Sequence, residues 1–199
     1  MKKGIVVYVA VLLFSWVGLH AQTGGGPGLQ FGREWWVGAS HSERSGFLNG
    51  YGDCAPWEKG ATIAWADLPV SDLSPRIDAY YAKHSKSTLS APQVADSIGR
   101  SAPPPPSAAD GEVYTNPHGY YDDLWWKGAF GDEKSGYVEG YLVCLGRPVT
   151  KPAGQRLADA ITAWYRQHPS KDDRAIAYVL EDILGAKKDT HHRENSAPQ

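Results

Sequence analysis

Four kinds of chemically capable side chain recur in pairs along this chain. Glutamates stand at Glu43 and Glu133, histidines at His84 and His168, cysteines at Cys54 and Cys144, and adjacent tryptophans at Trp35-Trp36 and Trp125-Trp126. Two carboxylates offer acid–base chemistry. A Glu with a His offers metal ligation, and a cysteine pair in an oxidising compartment offers a bridge. A tryptophan pair offers flat rings that stack on sugars or grip a partner. Each pair also has a plainer role. The glutamates fall in a first helical turn, where the helix dipole favours an acid, and the histidines fall at helix ends, where it favours a cation. Tryptophans bury large apolar area and more often fill cores. No HExxH, GxSxG, P-loop or CxxC pattern is present. His191-His192 lies in a polar stretch, where two adjacent histidines are a weak metal signal. The sequence therefore assigns no catalytic residue, no metal ligand and no cofactor.

The pairs belong to one internal repeat. Trp35–Cys54 reads WWVGASHSERSGFLNGYGDC and Trp125–Cys144 reads WWKGAFGDEKSGYVEGYLVC; they align without a gap at an offset of 90, and ten of the twenty positions are identical. Ile77–His84 then matches Ile161–His168 at an offset of 84, and Val94–Ile98 matches Val179–Ile183 at 85. The change of offset puts six extra residues of the first copy within Ala55–Arg76, and such an insertion is the surface loop best placed to carry specificity. The chain reads as a tandem duplication, with copies over 31–100 and 120–185.

Each copy begins with a helix capped at Ser42 or Asp132, with Glu43 or Glu133 in its first turn, running to Cys54 or Cys144. A capping box from Ser40 to Glu43 is the alternative, but the second copy has Phe130 at that place. Phe47, Tyr51 and Cys54 form an apolar stripe that Tyr137, Tyr141 and Cys144 repeat. Gly46 and Gly50, like Gly136 and Gly140, share a helical face. A glycine costs a helix interior about 1 kcal/mol relative to alanine, so four of them in matching places point to close approach of another backbone. A second helix is expected over Pro75–Lys86, capped by Ser74, and over Gln155–Gln167, stopped by Pro169; a third over Ala91–Gly99 and Asp172–Leu184. No stretch alternates like a strand. The expected fold is all-α, a tandem pair of small three-helix units. Units of this size have thin cores, so the copies should pack together, with a pseudo-twofold relation. A Cys54–Cys144 disulfide suits that relation; two free buried thiols are the alternative.

The rest of the chain frames these copies. Lys2 and Lys3, the apolar run Ile5–Leu19 and the exit at Ala21 read as a signal peptide over 1–21, about fifteen apolar residues being too few to span a bilayer. A flexible leader comes next over 22–30, the four consecutive prolines make 101–119 a Pro-rich linker, and 186–199 is read as a disordered tail. Removing Lys2 and Lys3 takes the basic residues from 20 to 18 against 22 acidic ones. That charge gives no electrostatic case for nucleic acid, and no second long apolar run gives a membrane span after cleavage. Two cysteines are too few for a disulfide-dense scaffold. A periplasmic or secreted location is expected.

The segment Ala163-Trp-Tyr-Arg-Gln-His-Pro-Ser-Lys-Asp-Asp-Arg-Ala-Ile-Ala-Tyr-Val-Leu-Glu-Asp-Ile-Leu184, with the upstream Gly136-Tyr-Val-Glu-Gly-Tyr141, resembles the Rap/Tai family of type VI secretion immunity proteins. That family is similar in having a Gly-aromatic-x-x-Gly helix, a helix ending in Tyr…His-Pro, and an apolar helix after it. The resemblance covers about 50 residues of the second copy; in the first, His84 is followed by Ser85 rather than Pro, and each copy here has one cysteine where the family has cysteine pairs. It implies an exported, all-α, non-enzymatic protein that binds and neutralises a cell-wall-degrading effector. No effector-contact residue is carried over. Three readings of the function result. The first is a helical binding protein acting on an unidentified protein partner such as a secreted effector. The second is a glycan or small-molecule binding module using Trp35, Trp36, Trp125 and Trp126. The third is an enzyme using Glu43 and Glu133.

Overall fold

A computed structural model describes residues 30–59, 63–65, 68–101 and 121–185. The signal peptide, nearly all of the leader and of the Pro-rich linker, and the tail lie outside the described residues. The described chain is all-helical, without a strand: α1 (Arg33–Gly38), α2 (His41–Lys59), α3 (Val70–Lys83), α4 (Ala91–Ser101), α5 (Asp123–Gly128), α6 (Gly131–Cys144), α7 (Lys151–Gln167) and α8 (Ile176–Leu184), with a 3₁₀ turn at Pro169–Lys171. Each half thus has four helices rather than three. Trp35-Trp36 and Trp125-Trp126 lie on short helices of their own, α1 and α5, separated from α2 and α6 by an extended residue at Ala39 and Ala129. No described helix is long and apolar enough to cross a membrane.

The core is built on α2 and α6. They run parallel, since Gly46 lies on the Glu133 carbonyl, Gly50 on that of Tyr137, Gly136 on that of Glu43 and Gly140 on that of Phe47. The contacts are reciprocal, as a local twofold axis between two parallel helices requires. A β-carbon at any of the four would stand 1.9–2.1 Å from a carbonyl oxygen. The glycine Cα–H is therefore directed at that oxygen, a weak attraction that recurs where helix backbones touch. At the far end Cys54 and Cys144 are bridged, with Cα atoms 6.1 Å apart.

The flanking helices pack the same way in both halves. Tyr81 donates its hydroxyl to Leu89 O (2.9 Å) and Tyr165 donates to Arg174 O (2.6 Å). Ala91 N donates to Phe31 O (2.9 Å) and Ile176 N to Tyr121 O (2.8 Å). These bonds explain the first residue of α8. The sequence expects that helix from Asp172, but Asp172 O accepts from Asp123 N and Arg174 O from Tyr165, so their carbonyls are engaged outside the helix. In α3 the expectation shifts the other way. The helix starts at Val70 and Pro75 lies inside it, with Ser74 buried rather than capping. Leu73 and Ile77, both fully buried, occupy one face four residues apart, and that burial outweighs the bond that Pro75 removes. His84, not Lys86, ends the helix.

The expected caps of α2 and α6 move too. The helices begin at His41 and Gly131, so Ser42 and Asp132 lie inside them. Ser40 is the cap of α2, its Oγ accepting from Glu43 N at 3.0 Å, and its hydroxyl also meets the Asp132 carboxylate. Within Ala55–Arg76, where the six extra residues fall, the described residues pack onto the first half. There α2 runs on to Lys59, Ile63 and Trp65 are buried, and the Ala64 carbonyl lies on Gly99 of α4.

Gly50→Ala and Gly140→Ala are expected to destabilise the fold by about 2 kcal/mol or more, since overpacking against backbone exceeds the roughly 1 kcal/mol gain in helix propensity. Gly128→Ala, with nothing near the added carbon, leaves the urea midpoint almost unmoved. Under denaturing, non-reducing conditions the chain takes up no thiol-alkylating reagent by intact mass; after reduction it takes up two.

Candidate functional site

The tryptophan pairs divide by side of the helix. Successive residues point about 100° apart, and Trp36 and Trp126 turn wholly into the core. Trp36 Nε1 donates to Asp78 Oδ1 (2.7 Å) and Trp126 Nε1 to Thr162 Oγ1 (2.9 Å), two acceptors that the sequence offset of 84 matches. Arg44 lies over the Trp36 ring at 5.2 Å and pairs with Asp78 at 2.9 Å; Lys134 lies over Trp126 at 5.7 Å. Trp35 and Trp125 are half-buried. Trp35 packs on Phe31 (5.0 Å) and Phe47 (4.7 Å), and Trp125 on Tyr121 (4.5 Å) and Tyr137 (5.7 Å). Of the two roles open to these rings, Trp36 and Trp126 take the core one, and Trp35 and Trp125 lie half-buried against that core among neighbouring aromatics.

The repeated glutamates do not converge. Glu133 accepts from the Phe130 backbone N–H at 3.4 Å, a helix-end role. Glu43 is buried and pairs with the Lys151 ammonium at 2.9 Å. Its second neighbour is a carboxylate the sequence does not single out, Glu139 in the middle of α6. Glu139 is 1% exposed, and neither of its carboxyl oxygens meets a hydrogen-bond partner among the described residues. Its side chain lies on Gly154 in the first turns of α7, with Oε1 3.1 Å from where a β-carbon would stand. Burial, then the charge of Glu43, pushes its pKa up to about 7, against a smaller downward pull from Lys151. In the first half the matching residue is Asn49, so the repeat itself does not point to it. Among the described residues no three His, Cys, Asp or Glu side chains gather to hold a metal.

The other motif residues are structural. Tyr137 donates to Asp53 Oδ2 (2.6 Å) and Tyr141 to Glu181 Oε1 (2.7 Å), which ties α6 to α2 and to α8. Burial holds the Tyr137 hydroxyl well above its usual pKa, with Asp53 adding to the shift. Tyr51 is half-buried beside Trp65 (6.4 Å). His84 and His168 both sit at helix C-caps with nearly the same backbone angles, each in ring contact with an aromatic residue four positions earlier, Tyr80 and Trp164.

Three large apolar side chains remain in water among the described residues: Leu124 (80% exposed), Phe130 (69%) and Val37 (58%). Leu124 is on α5 and Phe130 in the turn from α5 to α6; Val37 is on α1, ahead of the turn into α2. Asp122 positions α5 by accepting from Leu124 N (2.9 Å) and Trp125 N (3.2 Å). The sequence does hold a signal for the first two: Leu124 and Phe130 stand where the other half has Glu34 and Ser40. A position that is polar in one half and apolar in the other has no shared core role.

No family model, no curated protein and no solved structure matches this chain.

Trp36→Ala is expected to cost about 3–5 kcal/mol of stability, whereas Leu124→Ala stays within about 0.5 kcal/mol. Equilibrium urea unfolding of both variants checks the division between core and surface.

Proposed function

We propose that this chain is an exported helical binding protein that acts by protein–protein contact, and that its partner is a secreted, cell-wall-targeting effector of the kind the resemblance implies. The observation that carries the reading is the α5–α6 corner, where Leu124 and Phe130 stand 80% and 69% exposed on a scaffold held by the α2–α6 contact and the Cys54–Cys144 bridge. Large apolar side chains in water on a rigid support suit the centre of a contact surface. On this reading the chain is not an enzyme, needs no cofactor and does not bind nucleic acid. Burial of Trp36 and Trp126 in the core leaves only the half-buried Trp35 and Trp125 for the glycan alternative, which favours the contact reading over it. Glu43 pairs with Lys151 and Glu133 with the Phe130 N–H, so the two do not form one acid–base pair, which favours the contact reading over the catalytic one.

The reading predicts that the purified protein inhibits a cell-wall hydrolase exported by the same cells, and that a Leu124→Ser, Phe130→Ser variant loses at least tenfold in inhibition at unchanged thermal stability. Each buried apolar anchor contributes about 1–2 kcal/mol or more to such a contact. Undiminished inhibition by the variant would place the contact elsewhere; no inhibition of any exported hydrolase by the unaltered protein would overturn the reading.

A further inference from the structure

Glu139 is the one buried carboxyl group of the described chain with neither oxygen hydrogen-bonded, and nothing in the contact function uses it. Its charged neighbours come from two elements. Glu43 on α2 opposes its ionisation and Lys151 at the head of α7 favours it; Asp132 at the head of α6 acts in turn on Lys151. Lys151 already donates to both Glu43 oxygens, at 2.9 and 3.3 Å. The arrangement is balanced while Glu139 keeps its proton: one carboxylate, one ammonium and one neutral acid. If that proton leaves to solvent, two buried carboxylates share one ammonium, and the new charge lies against the first turns of α7. An ion buried without a partner is strongly unfavourable, so water must enter or the turn must move.

We propose that Glu139 is a proton-operated latch: while protonated it lets the first turns of α7 pack against the α2–α6 pair, and its ionisation releases them. Gly154 is what lets the acid sit there, because a side chain at that position would meet its Cγ at 3.0 Å. The midpoint falls near pH 7, where the burial of Glu139 and the charge of Glu43 place it. The sign comes from proton binding. Between the ordinary carboxylate value of 4.5 and about 7, the folded chain holds a proton that the unfolded chain has released. Stability therefore falls as pH rises through that window and levels off above it.

Two readouts on the full chain test the latch. A ¹³C-carboxyl titration by NMR should place Glu139 near 7; a midpoint near 4.5 overturns the proposal and needs no variant. Hydrogen exchange should show the Ala153 and Gly154 amides, both bonded to Thr150 O at 2.9 Å, losing up to about tenfold in protection from pH 6 to pH 8, after correction for intrinsic exchange. In Glu139→Gln, which keeps the shape and removes the charge, that loss should vanish; an equal loss in the variant sinks the latch. Lys151→Met should raise the Glu139 midpoint further, and an unchanged midpoint there contradicts the proposed charge balance. None of these readouts depends on the partner or on inhibition, so the latch and the contact function fail separately.

Discussion

Two helix backbones touching through four glycines constrain most of the remaining structure of this molecule. With Gly46 and Gly50 against α6, and Gly136 and Gly140 against α2, there is no layer of side chains between the two helices. Side chains that would ordinarily fill that seam are turned to the flanks, so α6 is buried on every side from Ser135 to Cys144. A helix buried all round cannot leave polar groups to water, and each one on α6 needs an internal partner. Ser135 finds Gln155 (2.8 Å), Tyr137 finds Asp53 and Tyr141 finds Glu181. Glu139 alone finds no hydrogen bond, and its position has the same geometric origin: the flank of a central helix, in the gap left by Gly154.

The close seam must be held at both ends, because glycine contacts resist overlap strongly but separation only weakly. At the N-terminal end Ser40 meets Asp132 across the pair. At the C-terminal end the disulfide closes a loop of 90 residues, which on the chain-entropy account contributes about 4.6 kcal/mol. The short helices α1 and α5 then brace the outside. Trp36 and Trp126 enter the core below each turn and are fixed by hydrogen bonds to α3 and α7. Aromatic area here replaces what a small four-helix half lacks in core volume.

How much of this the sequence discloses depends on whether the cause is local or repeated. The helical class, the glycine contact and the cysteine pairing were legible because each leaves a spacing, and the spacing occurs twice. Helix starts were less legible because the deciding partners are distant. Nothing near Asp172 announces that its carbonyl accepts from Asp123 N, or that Tyr165 will engage Arg174 O. The tryptophan pairs were ambiguous because ring chemistry suits core and contact alike; only the placement of Asp78 and Thr162 beside the indole nitrogens separates the two. Glu139 was invisible for a different reason. A repeat directs attention to positions that agree, and this one is Asn49 in the first half.

That contrast between agreeing and differing positions bears on where function lies. Positions that agree between the halves build the seam, the bridge, the indole anchors and the helix ends, all of which any pairing of two such units needs. The unexplained chemistry stands where they differ. Leu124 takes the place of Glu34, Phe130 that of Ser40 and Glu139 that of Asn49, so at these positions the second half carries two exposed apolar side chains and a buried acid where the first half is polar. The first half carries instead the insertion that buries Ile63 and Trp65 against its own helices. A symmetric scaffold would offer two equivalent surfaces to a partner. Val37 on α1 is exposed as well, so the asymmetry is one of degree: among the described residues the second half holds two of the three exposed large apolar side chains and the buried acid, groups that the fold itself does not use.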